Sequence, residues 1–166
     1  MLKQQENNDE CRFNEVNRTA AAIFWILSLI CMGTIFYMSS NTSTESSAQS
    51  GRILMWLNEV LKAPWLSDFI VRKSAHFLEF AGLSLLLCAA FTCTCGRKKM
   101  ALGLVTASAY AATDEVHQIF VDGRSCQFSD WLLDTCGAIA GLVLFVLLFI
   151  LAEHISKQKK RRAASA

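Results

Sequence analysis

Residues 72 to 134 of this chain hold the side chains that could do chemistry. They are Arg72, Lys73, His76 and Glu79, then Asp114, Glu115, His117 and Gln118, then Arg124, Asp130 and Asp134. Positions three or four apart on a helix share a face, so Arg72, His76 and Glu79 line up with one another, as do Asp130 and Asp134. Tyr110, Asp114, His117 and Gln118 form a third such row, from which Glu115 points roughly 100° away. A histidine beside a carboxylate suits proton transfer, and His76, Glu79, Asp114 and His117 are the catalytic candidates by type. The same four are weak candidates for a divalent metal, because neither His-x-x-Glu nor Asp-x-x-His by itself specifies a site. The competing use is structural, as ion pairs of Arg72 or Arg124 with a carboxylate. No nucleophile motif, phosphate-cradling glycine loop or cofactor fingerprint is present, so no cofactor is expected.

The elements that carry these residues are strongly apolar. Of 166 residues, 53% are hydrophobic and only 18% charged, with a formal net charge of +2. That composition excludes intrinsic disorder, argues against a nucleic-acid partner, and points to a membrane protein. Seven cysteines, an odd number, suggest no disulfide framework. Ala20 to Met38 is almost continuously apolar, long enough to cross about 30 Å of hydrocarbon. The mixed charges before it argue for an uncleaved anchor rather than a signal peptide. The expected fold is all-α: a polytopic membrane protein with a four-helix transmembrane bundle and a short interfacial helix. The spans are placed at about 19–38, 71–95, 100–121 and 130–152. Residues 1–18 form a cytoplasmic segment and 153–166 a basic cytoplasmic tail.

Orientation follows from Lys and Arg. With both termini cytoplasmic, eleven of the sixteen cations fall inside, among them Lys3, Arg12, Arg18, Arg97 to Lys99 and Lys157 to Arg162. Arg52, Lys62, Arg72, Lys73 and Arg124 then fall outside. Between the first two spans, Ile53, Leu57, Val60 and Leu61 recur at helical spacing near Trp56 and Trp65. They predict a helix that either lies in the outer interface or packs on the bundle.

Depth then brings the polar residues together. His76 and His117 lie about one turn in from the outer ends of their spans, Asp134 about one turn, and Glu79 and Asp114 about two. Ionisable groups avoid lipid by facing protein or water, so three helices are expected to form one polar cup open to the outside. Two uses compete. The cup binds a polar headgroup, with Arg72, Lys73 and Arg124 on its anionic oxygens; or it is the site of a membrane-embedded enzyme acting on the same kind of lipid through His and carboxylate groups. Transport is the weakest reading, because the inner halves of the second and fourth spans are nearly all apolar.

Several stretches together resemble the VanZ-like family: Arg72-Lys73-Ser74-Ala75-His76-Phe77, Asp114-Glu115-Val116-His117-Gln118, Gly123-Arg124, Asp130 and Asp134-Thr135-Cys136-Gly137, with Phe36-Tyr37-Met38-Ser39-Ser40 ending the first span. The likeness covers about residues 19 to 150. Phe80 stands where a tyrosine is expected and Asp122 where a proline is common; neither changes the charged set. The resemblance implies a multi-pass protein of the bacterial cell membrane. Its namesake is associated with resistance to the glycopeptide antibiotic teicoplanin, a phenotype that membership alone does not carry. The implied partners are membrane lipids, a lipid-linked cell-wall precursor or a lipid-bearing glycopeptide.

Overall fold

The structure, a computed structural model, describes the backbone of residues 2–62 and 65–164 and the side chains of all of these but 2–17, 61, 160 and 164. Lys3, Arg12 and Lys160, which count toward the orientation, have side chains outside the described residues. The described residues form five α-helices: α1 (Leu2–Ser39), α2 (Ser43–Leu61), α3 (Asp68–Cys95), α4 (Leu102–Gln118) and α5 (Phe128–Ala164).

Local sequence explains where they begin and end. Thr42 caps α2 in a reciprocal box: its hydroxyl accepts the Glu45 N–H while the Glu45 carboxylate accepts the Thr42 N–H at 2.9 Å. That box makes helix out of the Ser/Thr-rich stretch that the apolar periodicity, starting at Ile53, leaves unassigned. The Ser67 hydroxyl accepts the Ile70 N–H at the start of α3. Gly96, at φ +84°, ends α3, and its N–H bonds back to Thr92. A single tight turn over Arg97–Lys99 then reverses the chain into α4.

Helix directions follow from the contacts. Phe80 faces Tyr110, with ring centroids 6.3 Å apart, while Cys88 meets the start of α4 at Gly103, so α3 and α4 are antiparallel. Phe77 and Ala81 touch Gly137 and Gly141, which makes α3 and α5 parallel. Tyr110 donates to the Met32 carbonyl at 2.7 Å and Ser39 to Asp114, setting α1 parallel to α4. Helix α3 is central, in contact with the other four. The core gathers Ile35, Phe80, Leu83, Leu87, Ala107, Ala111 and Ala138. Trp131 Nε1 reaches the Ser108 carbonyl at 3.1 Å, and Ser108 shares a hydrogen bond with Thr135, so polar groups between α4 and α5 are satisfied internally.

Among the described residues, three segments are long and apolar enough to cross a membrane: Arg18–Ser39, Asp68–Cys95 and Phe128–Ala163. Outward faces of two of them are largely apolar, with Ile26, Leu29 and Ile30 exposed on α1 and Leu144, Leu147, Leu148 and Leu151 on α5. A soluble protein does not expose such a belt. Helix α4, at 17 residues, falls short of that length. The observed helices depart from the expected spans chiefly by running on. Helix α1 continues back to Leu2 and α5 forward to Ala164, since the charged flanks at both ends are good helix formers.

Candidate functional site

At one end of the bundle, the starts of α3 and α5 meet the ends of α1 and α4. Opposed helix dipoles largely cancel there, so side chains set the local potential. Two connections close this end: the Ser43 N–H donates to the Asp122 carbonyl at 3.2 Å, and Arg124 Nε donates to the Asn41 carbonyl at 3.1 Å.

Beneath them lies a cavity of about 300 Å³. Its cations are Arg72 and Lys73 from α3 and Arg124 from the α4–α5 loop; its carboxylates are Glu115 from α4 and Asp130 and Asp134 from α5. His76, Gln118, Ser43, Ser125 and Gln127 complete the polar wall, against Phe69 and Leu133. Lys73 Nζ lies 2.5 Å from Asp130 Oδ1 and 5.4 Å from the Phe69 ring centroid. Arg72 Nε lies 3.3 Å from Asp68, one turn earlier on α3, and Asp68 also accepts the Ser50 hydroxyl of α2. Among the described residues Arg124 pairs with no carboxylate within 4.0 Å. Burial first, and then the charge of Arg72, pull its guanidinium below its ordinary pKa range, and it remains charged at neutral pH.

Of the eleven expected site residues, eight line this cavity; Glu79, Asp114 and His117 do not. Asp114 is buried and turned toward α1, where its Oδ2 accepts the Ser39 hydroxyl at 2.7 Å and Gln118 Nε2 at 3.3 Å. Glu79, one turn deeper than His76, places Oε2 3.8 Å from His76 Nδ1, beyond hydrogen-bond reach. His117 packs its ring on Phe36, centroids 4.4 Å apart.

The expected face of α4 therefore needs correcting. Glu115, which was turned away from that row, is 3% exposed, lines the cavity and accepts the Gln127 N–H at 2.8 Å. His117 keeps its place on the row but packs on Phe36 of α1 and does not line the cavity. Helix α4 is clasped from two sides, by α1 at Asp114 and by the start of α5 at Glu115, so two faces roughly 100° apart are both interior. Among the described residues, no three His, Cys, Asp or Glu side chains are grouped to hold a metal ion. Two other contributors went unsingled in the sequence. Asp68 was legible, four residues before Arg72 and just after a capping serine; the Asn41 carbonyl, which holds Arg124 from 83 positions away, was not.

The model of the VanZ/LLP1 family matches residues 24–150, more than half of the chain. The chain belongs to the VanZ/LLP1 family. No curated protein and no solved structure matches it. The region shared with the VanZ/LLP1 family contains every residue of the cavity wall. Of the two departures noted in the sequence, Phe80 is fully buried in the core and Asp122 uses its backbone carbonyl to hold Ser43. Both lie off the cavity wall.

Two polar atoms on this VanZ/LLP1 cavity wall lack partners: Asp134 Oδ1 and His76 Nδ1 are buried without a hydrogen bond. Among the described residues six further buried side-chain atoms share that state, Ser84 Oγ and Thr92 Oγ1 among them, away from the cavity.

Proposed function

We propose that this VanZ/LLP1 chain is a four-span protein of the bacterial cell membrane whose outward-facing cup binds the polar headgroup of a lipid-linked or lipid-bearing ligand. The cavity of about 300 Å³ carries this reading, since it gathers Arg72, Lys73, Arg124 and five other charged or hydrogen-bonding expected residues at one end of an otherwise apolar bundle. That volume is at the low end of ligand pockets, about right for a headgroup whose acyl chains stay in lipid. Helix α4 serves as the fourth span: its 17 residues cover about 25 Å, and the loop after it extends the crossing.

The cup faces outward because basic residues crowd the opposite end. There Arg97 pairs with Glu153 at 2.8 Å, Lys98 and Lys99 follow, and Lys157 lies 3.9 Å from Glu153. Cations concentrate on the cytoplasmic side, so both termini are cytoplasmic. Helix α2 lies in the outer interface, with Ile53, Met55, Trp56 and Val60 exposed toward the lipid boundary. Lipid-linked wall precursors and teicoplanin-type lipoglycopeptides both carry ionic groups and an apolar anchor, and a cavity of about 300 Å³ admits one such group rather than the whole head.

The test is binding of short-chain anionic phospholipid to the purified full chain in detergent. Arg124→Ala is expected to weaken it about tenfold, the value of one charge-assisted hydrogen bond. Unchanged affinity in that variant removes the proposal. His76 Nδ1, buried without a partner beside Glu79, favours a second reading in which the cup performs acid–base chemistry on the same headgroup. Turnover of a lipid-linked substrate that His76→Gln abolishes supports it.

A further inference from the structure

The cavity is divided by charge in a way that a purely anionic ligand does not explain. Its cations stand on α3 and in the α4–α5 loop, its carboxylates on α4 and α5. Lys73 and Asp130 neutralise one another at 2.5 Å. Arg72 is shared with Asp68; Arg124 feels the charge of Arg72 and, opposing it, that of Asp114, Glu115 and Glu79, but among the described residues no carboxylate lies within 4.0 Å of it. No anion is in direct contact with Arg124 on this side. On α5, Asp134 is 1% exposed, and its Oδ1 is buried with no donor. It sits one helical turn deeper than Asp130. Glu115, 3% exposed, receives only the Gln127 N–H. Lys73 acts on both carboxylates from a distance but contacts neither, so no cation on this side is within hydrogen-bond reach of Asp134 Oδ1.

We propose that the cavity recognises a zwitterionic group, a phosphate joined through a short linker to a primary ammonium. The phosphate lies against Arg72 and Arg124 and the ammonium against Asp134 and Glu115. This inference rests on the headgroup-binding reading above and names its ligand class. An aminoalkyl phosphate supplies what each wall lacks within about 300 Å³. Guanidinium groups match phosphate oxygens, and three N–H donors suit two carboxylates. A glycerol phosphate would offer the same anion, and hydroxyl donors, but no positive charge to set against Asp134 and Glu115. The chemistry is common to a lipid headgroup and to a free aminoalkyl phosphate.

The test uses the purified full chain in detergent micelles and two matched pairs of probes. One pair is dihexanoyl phosphatidylethanolamine against dihexanoyl phosphatidylglycerol; the other is phosphoethanolamine against glycerol phosphate. The ethanolamine member is expected to bind about tenfold more tightly, a difference that Asp134→Asn reduces to within about twofold. A preference in the lipid pair alone assigns the ligand to the membrane, and one in both pairs assigns it to the headgroup irrespective of its anchor; either outcome supports the inference. Equal binding of ethanolamine and glycerol members, or a preference that persists in Asp134→Asn, overturns it. If only Arg124→Ala then weakens both members, headgroup binding stands and the ammonium site alone falls. If no probe binds, both fall together. The wild-type comparison requires no variant, and Glu115→Gln, expected to lower the preference several-fold, serves if Asp134→Asn does not fold.

Discussion

Helices α3 and α5 run parallel and meet in two quite different ways. Toward the middle of the bundle, Gly137 and Gly141 bring the α5 backbone against the Phe77 and Ala81 carbonyls. A Cβ at either glycine would collide with backbone, which cannot move aside as a side chain can. Over the two turns before Phe77 and Gly137, the same helices present Lys73, His76, Asp130 and Asp134 and stand around a cavity. The seam is closed because small residues at a spacing of four allow close approach, as in other membrane helix pairs. The other end is held open because bulky ionic groups occupy the same stripe. Side-chain size along one stripe thus makes both the anchor and the site.

The seam is the place to break the comparison most severely. Gly141→Leu is expected to destabilise the bundle by about 3 kcal/mol or more, because overpacking against backbone has no cheap relief. Gly82 lies on α3, where an added Cβ would meet nothing within 4 Å, and Gly82→Ala is expected to leave stability unchanged or raise it by about 0.5–1 kcal/mol. Thermal unfolding in detergent distinguishes the two, and equal effects would contradict the close approach. At the open end, Asp130→Ala leaves Lys73 partly buried and unpaired. It is expected to cost about 1–2 kcal/mol, between exposed and buried ion pairs, and a double-mutant cycle with Lys73→Ala should recover most of that.

A smaller loss than at the seam or the ion pair belongs to the α2 cap. Thr42→Ala should cost about 1 kcal/mol. Hydrogen bonds from Thr42, first from its backbone and then from its side chain, hold the Glu45 carboxyl below its ordinary pKa. A depressed folded-state value contributes stability above the unfolded value, here about 4.3, and loses it as pH falls through the folded value. The stability difference between wild type and Thr42→Ala should therefore shrink in acid. A difference that grows in acid would place the Glu45 contribution elsewhere.

Much of this was readable in one dimension. The 3.6-residue period is a property of the helix itself, so spacing put Arg72 with His76 and Asp130 with Asp134 before any fold was known. Matching depths followed from counting turns in from the span ends. Cation asymmetry is likewise additive along the chain, and so is the glycine pair of the seam. Span ends were harder, because the flanking charged segments are helical by propensity and carry no stop signal.

Apolar length, charge placement and helical spacing are therefore decided by the sequence alone, since each depends on neighbours within a few residues. Which of the polar groups share a cavity was decided only by tertiary packing. The pitch of α4 says that Asp114 and Glu115 diverge by about 100°, but not that α1 and α5 flank it so that both are buried. Nor does pitch reveal that Ser39 claims Asp114 across 75 positions, that Phe36 claims the His117 ring, or that Asp134 is left without a partner. Those outcomes depend on which surfaces of different helices meet, and that is a property of the assembled bundle.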